Sequence, residues 1–287
     1  MEESAMSISV VTTFHKPGYD LYGKRMIKSF LENWPEEIKL YVYAEDCQVE
    51  ESAPNLIIKD LHSASPELVA FKERWKNVPK ANGDVSSDPI RNKRRDSGKG
   101  FKWNAIRFAH KVYSIFSCAN ECGSDWLFWM DADTFCHSKI TLKDLGRFLP
   151  GKKELCYLGR KGKYSECGLY AMRLNSDNTK EFLKEFQRVY DDAEGTGGIF
   201  SMAEWHDSYV FDIVRQRFNN LNQLSWSENL GDLRASPNTS KGEGHPLINS
   251  DWGAYLDHLK GGRKTLGKSK RDDLKVPRTE PYWQQFS

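Results

Sequence analysis

Two carboxylates one residue apart, Asp131 and Asp133, follow an apolar run of five residues, Trp126-Leu127-Phe128-Trp129-Met130. Such a pair offers hard oxygen donors, and residues two apart in extended backbone project to the same side. It can share Mg²⁺ or Mn²⁺, and that cation can neutralise a diphosphate. The same two residues also suit a turn or a helix start, where aspartate accepts from backbone N–H groups. Far along the chain stands His258-Leu259-Lys260-Gly261-Gly262-Arg263-Lys264. An imidazole beside two carboxylates suits a borderline cation such as Mn²⁺. Glycine lets backbone amides approach phosphate oxygens closely, and Lys264 offers a point charge to a leaving diphosphate. Taken alone, His258 reads more readily as an ordinary core or surface histidine.

Further chemistry-bearing residues flank these. Arg107 and Lys111 are four apart and share one helix face, with Lys102 just ahead of them; a solvated basic face is the plainer alternative. Glu204-Trp205-His206-Asp207-Ser208 opens a helix after a glycine-rich stretch. Trp205 is suited to stacking on an acceptor ring, and His206 and Asp207 to bonding hydroxyls, although Asp207 also fits a first-turn acid. Glu166 faces a reaction centre or ends a strand. Asp46 reads as an ordinary loop acid.

These residues need an ordered scaffold, and the pattern supplies one. Residues 8–14 read as a first strand, 19–33 as a helix closed by Pro35, 38–44 as a second strand and 55–60 as a third. This β-α-β opening predicts parallel strands with helical crossovers. Residues 71–100, dense in proline and glycine, read as an excursion or mobile loop. Helix is expected over 101–116, the motif strand over 126–130, a short helix around Leu142, Leu145 and Phe148 ended by Pro150-Gly151, strands over 156–159 and 168–174, and helices over 179–193 and 205–218. Residues 219–249 read as irregular. No repeat or clean linker divides the 287 residues, so a single domain is expected, with 1–135 as a nucleotide-binding half and 136–287 holding the acceptor side and the C-terminal segment.

Composition narrows the classes. Lys and Arg number 42 against 40 Asp and Glu, so net charge gives no global case for a nucleic-acid or membrane protein. None of the six cysteines forms a Cys-x-x-Cys pair, which argues against zinc, and the length of the chain argues against a disulfide framework. No 18-residue apolar run is present and residues 1–7 carry no hydrophobic signal region, so the expectation is a cytoplasmic protein without a membrane span. Asn238-Thr239-Ser240 matches a glycosylation sequon and reads as chance in that setting.

Asp131-Ala132-Asp133 after an apolar strand resembles the Asp-x-Asp motif of GT-A glycosyltransferases, which use nucleotide-sugar donors. The segment His258 to Lys264 is similar to the His-x-x-Gly-x-x-Lys pattern of glycogenin-like, retaining members. The resemblance implies an α/β, Rossmann-like fold with a mixed, mainly parallel central sheet flanked by helices. It implies Mn²⁺ (or Mg²⁺) held by Asp131, Asp133 and His258, and a UDP-linked sugar donor with Gly261 and Lys264 near its diphosphate. It places Thr12, Thr13 and Phe14 near base and ribose, and turns Lys102, Arg107 and Lys111 toward donor sugar and phosphates. It sets Glu166, Asp207 and Arg107 near the reacting carbon. Cys167 stands where the family often has a smaller residue, which leaves the sugar open. The implied reaction moves a sugar to a glycan or other hydroxyl acceptor with retention. Two other classes stay open: a nucleotidyltransferase or metal-dependent phosphohydrolase, and a nucleic-acid-binding protein. The six basic residues of 91–102 and the seven of 260–275 could also guide a polyanionic acceptor such as DNA to a transferase site.

Overall fold

The computed structural model describes residues 6–94, 99–149, 153–160, 163–221, 227–229 and 245–285. The strands are β1 (Ile8–His15), β2 (Lys39–Glu45), β3 (Leu56–Asp60), β4 (Trp126–Met130), β5 (Thr134–Cys136), β6 (Leu155–Arg160), β7 (Lys163–Arg173), β8 (Ser227–Asn229) and β9 (Leu256–His258). The principal helices are α1 (Lys24–Asn33), α2 (Pro66–Trp75), α3 (Ala105–Glu121), α4 (Leu142–Phe148), α5 (Asp177–Asp191) and α6 (Asp207–Leu221). Among the described residues, seven strands form one sheet in the order β3-β2-β1-β4-β7-β6-β8. Strands β1 to β4 run parallel, β7 is antiparallel to both β4 and β6, and β8 is parallel to β6. This is the mixed, mainly parallel α/β architecture expected above.

The unbroken apolar run of β4 has a simple cause. Leu127 and Trp129 enter the core beneath α2, α3, α5 and α6. Trp126, Phe128 and Met130 enter the opposite core, with α1, α4, Trp252 and Trp283. A strand covered on both faces cannot alternate apolar with polar, and burying each large side chain contributes roughly 1.5–3 kcal/mol. Beyond β4 the chain turns at Asp131–Thr134 and forms β5, which pairs antiparallel with β9 and sets Thr134 opposite His258. That two-stranded sheet carries the C-terminal segment back to the motif.

Several elements depart from the pattern reading. The excursion expected at residues 71–100 begins inside α2, whose Leu68, Phe71 and Trp75 are buried at helical spacing; short 3₁₀ turns follow at Pro79–Asn82 and Arg91–Lys93. The helix expected from residue 101 starts at Ala105, capped by Asn104, whose side chain accepts from the Arg107 amide at 2.9 Å. The helix expected from Trp205 starts at Asp207. The first helix enters through a π-helical turn, Tyr19–Gly23. Strand β7 begins at Lys163 rather than Gly168, because the polar groups at its start find partners: the Ser165 amide and hydroxyl donate to Asp212 at 2.6 and 2.7 Å. Within 219–249, the described portions include β8 and a short helix, Pro246–Asn249. Pro150-Gly151, Arg95 and the Asn238 sequon lie outside the described residues.

Candidate active site

Asp131 and Asp133 lie in a turn rather than in extended strand. The Thr134 amide donates to the Asp131 carbonyl at 3.0 Å, and the Asp131 amide donates to the Gly168 carbonyl of β7 at 2.8 Å. The expected convergence of the carboxylates therefore comes from a β-turn and not from the pleat. His258 arrives across the β5–β9 ladder, which the Leu259 amide extends by donating to the Asp133 carbonyl at 2.7 Å. Its Nε2 lies 3.0 Å from Asp133 Oδ1 and 3.5 Å from Asp131 Oδ2. Gly168 is the reason the ring fits, since a Cβ there would stand 2.4 Å from His258 Cε1.

The three groups fit a divalent cation. Adjacent ligands on an octahedral ion with bonds of roughly 2.1 Å lie about 3 Å apart, and one donor atom from each residue falls within 4.8 Å of the others. Two carboxylates and an imidazole match Mn²⁺ or a similar borderline ion. The outward nitrogen of His258, Nδ1, is buried without a hydrogen bond, 3.8 Å from Glu166 Oε1.

Three cationic groups crowd this pair. Lys111 Nζ, nearly enclosed, contacts Asp131 Oδ1 at 3.0 Å, Asp207 Oδ2 at 2.7 Å and the Cys167 carbonyl. Those contacts use all three ammonium donors, so in this arrangement Lys111 binds carboxylates rather than phosphate. Lys264 Nζ lies 3.0 Å from Asp133 Oδ2 and 4.6 Å from the centre of the Tyr22 ring. Burial raises the carboxyl pKa values, but Lys111 overrides it at Asp131 and His258 at Asp133, leaving both well below the usual range. Burial opposes the charge on His258, and Asp133 above all overrides it, pushing the imidazole up to about 10.

The cluster sits in the wall of a cavity of about 1580 Å³. Of the residues singled out from sequence, Thr13, Phe14, Lys102, Arg107, Glu166, Asp207 and Gly261 also line it. Thr12 is fully buried, with its hydroxyl unpartnered, and is not on that wall. Arg107 is exposed, and its guanidinium makes no ion pair or hydrogen bond among the described residues. Glu166 is buried and pairs with Lys260 at 2.7 Å. Trp205 is the clear correction: it is fully buried against Phe200 and beneath Arg91, with no face for an acceptor.

Part of each basic stretch is tied down. Arg91 pairs with Asp88, Arg94 and Lys102 with Glu204, and Arg263 with Asp273. Sequence reasoning missed Tyr22, Glu45, His110 and Tyr164, all on the cavity wall. Glu45, His62 and His110 form a second three-donor group, but Lys72 Nζ already lies 2.8 Å from Glu45 and 2.9 Å from His62 and supplies the positive charge there. Only the π-helical turn could have pointed to Tyr22, and no sequence pattern announced that turn.

No protein-family model and no curated protein matches this chain. Solved structures with similar folds include mouse xyloside xylosyltransferase 1, at 11% identity and a TM-score of 0.43 over 78% of this chain and 84% of that one. The glycosyltransferase GlyE of Streptococcus pneumoniae TIGR4 gives 11% and 0.43 over 78% of this chain, which spans only 45% of that protein. A glycosyltransferase involved in glycosylating the major capsid of PBCV-1 gives 11% and 0.44, over 91% of this chain and 98% of that one. Likenesses this weak decide nothing about activity.

Two outcomes follow from the geometry. Lys111→Met keeps the stem and removes the charge, leaving Asp131 and Asp207 without their shared cation; chemical denaturation of the metal-free protein should show a loss of roughly 3–5 kcal/mol, and a loss below about 1 kcal/mol would contradict the pairing described. A metal ligand must be a neutral imidazole. Since His258 holds its proton up to about 10, Mn²⁺ uptake at pH 7.5 should release close to one proton, and affinity should rise with pH toward that value. Calorimetry in buffers of different ionisation enthalpy measures this, and uptake without proton release would exclude His258 as a ligand.

Proposed function

We propose that this chain is a metal-dependent glycosyltransferase that moves a sugar from a nucleoside-diphosphate donor, UDP-linked, to a glycan or similar hydroxyl, with retention. The observation that carries the reading is the convergence of Asp131, Asp133, His258 and Lys264 on one cavity wall from segments more than a hundred residues apart. A bound Mn²⁺ or Mg²⁺ on Asp131, Asp133 and His258 would neutralise charge on the diphosphate. Lys264 and the backbone at Gly261, whose φ of 63° is open to glycine, then meet the leaving oxygens. Thr13 and Phe14 flank the nucleoside, and Arg107, exposed on the cavity wall, binds donor phosphate. Residues 1–135 act as the nucleotide half of a single domain and 136–287 as the acceptor half.

In the transfer, the bond from the anomeric carbon to the diphosphate oxygen breaks and its electron pair leaves with that oxygen. The acceptor oxygen bonds to the same carbon, and its proton passes to the departing phosphate. Asp207 and Glu166 supply negative charge beside the sugar. Burial raises the Glu166 pKa, but Lys260 overrides it and brings it down to about 2, which makes this carboxylate a poor general base. A retaining reaction, which needs no strong base, fits that environment. The pairing of Arg91, Arg94, Lys102 and Arg263 with internal carboxylates favours a glycan over a polyanion as acceptor. All six cysteines are free thiols, which suits a reducing cytoplasm, and no helix among the described residues is long and apolar enough to cross a membrane.

Nucleotide-sugars should be hydrolysed slowly in the presence of Mn²⁺, with UDP-sugars preferred. Asp133→Ala should lower the rate by at least about a hundredfold, in line with the loss of a metal ligand. The released sugar should keep its anomeric configuration by NMR. Inversion would reject the stereochemistry, pyrophosphate release from a nucleoside triphosphate would favour a nucleotidyltransferase, and no turnover with any donor would reject the reading.

A further inference from the structure

The cavity, at about 1580 Å³, exceeds the roughly 300–1,000 Å³ typical of a site for one small ligand. Beside Asp207 its wall changes character. Phe101, Phe108 and Tyr164 come from a 3₁₀ turn (Gly100–Trp103), from α3 and from β7, and all three line the cavity. Their ring centres lie 6.1, 6.2 and 5.5 Å from the imidazole of His206. Phe101 is 49% exposed, one of the few large apolar side chains so open to solvent. Leaving an aromatic face in water forgoes its burial, and here that face belongs to the wall of the cavity that also holds the charged cluster.

The base beneath these rings is fixed. His206 Nε2 lies 2.9 Å from Glu204 Oε2, and its Nδ1 accepts from the Tyr209 amide at 3.3 Å. Buried Glu204 also takes Lys102 at 3.0 Å and Arg94 at 2.7 Å. The imidazole is thereby held as a scaffold, and the rings packed around it have defined positions. The next residue, Asp207, joins through Lys111 to Asp131, so the aromatic wall begins one residue and one shared ammonium from the candidate metal centre.

We infer that Phe101 and Tyr164 form the acceptor subsite, on which a pyranose ring of a neutral glycan stacks while its hydroxyl edge faces Asp207 and Lys102. This rests on the transferase reading above and names the acceptor class for it. The chemistry matches: a sugar ring presents an apolar C–H face and a polar rim, and the wall sets the exposed ring of Phe101 and the half-buried ring of Tyr164 beside anchored hydrogen-bonding groups. An acyl chain would leave those polar groups without partners. On this stretch of wall a polyanion finds Arg94 and Lys102 already paired with Glu204.

The test separates this inference from the reading it builds on. UDP with Mn²⁺ is titrated by calorimetry, and the UDP–Mn²⁺ complex of the full chain is then applied to a glycan array carrying neutral oligosaccharides and sulfated polyanions. The wild-type chain should retain neutral oligosaccharides. Phe101→Ala and Tyr164→Ala should each weaken that retention about tenfold, the scale of one lost stacking contact, while UDP affinity changes less than about twofold. Phe101→Tyr, which keeps the ring, should retain them. If UDP binds but no neutral glycan is retained, if only sulfated polyanions are, or if Phe101→Ala and Tyr164→Ala bind glycans like the wild type, the subsite is wrong and the transferase reading stands. If no UDP binds, that reading falls and takes the subsite with it.

Discussion

The turn after β4 holds Asp131 and Asp133 at the C-terminal end of the sheet's central strand, where burial penalises their charge, and they remain ionised because Lys111, His258 and Lys264 converge on them. Much of the architecture serves that balance. An unpaired buried carboxylate is costly enough to protonate or to unfold its surroundings, so the cations must be delivered from wherever the chain has them. Helix α3 brings Lys111 under the sheet, and β9 returns from the far end of the chain with His258. The short helix Arg263–Leu266 that follows β9 adds Lys264. Metal and diphosphate chemistry would then exploit the same charges that hold the turn together.

The long antiparallel strand β7 lies beside this arrangement and serves both sides of it. Its Gly168 carbonyl anchors the Asp131 amide, and its lack of a side chain leaves room for the His258 ring. Two residues earlier Glu166 holds Lys260, and one residue earlier the Cys167 carbonyl receives Lys111. Cys167, a doubtful contributor to sugar selection when judged by its type, thus takes part through its backbone.

Where local pattern carried the information, the sequence was legible. The aromatic run of β4, the 3.6-residue spacing of α4 and the β-branched opening strand all correspond to observed elements, because each buries residues at its own period. The candidate ligand set was legible only as residue types in order along the chain; what brings Asp131, Asp133 and His258 together is the β5–β9 pairing, a non-local contact. Errors arose where a residue's type and its environment part company. Lys111 and Arg107 share a helix face, yet one is buried among carboxylates and the other reaches open cavity. Trp205 has the size and ring for a binding platform but fills the core, while Phe101, read as the first residue of a helix, lies in a 3₁₀ turn ahead of it and takes the exposed place. The start of β7 was missed because Ser165 and Glu166 are polar; their burial depends on Asp212 and Lys260, which no window of sequence shows together.

The central claim is that one divalent cation binds Asp131, Asp133 and His258 together. Pulsed electron paramagnetic resonance of the Mn²⁺-loaded protein reports nitrogen nuclei bonded to the metal. The account predicts coupling to a single imidazole nitrogen that disappears in His258→Ala. A Mn²⁺ signal with no nitrogen coupling, or one unchanged by that substitution, would contradict it.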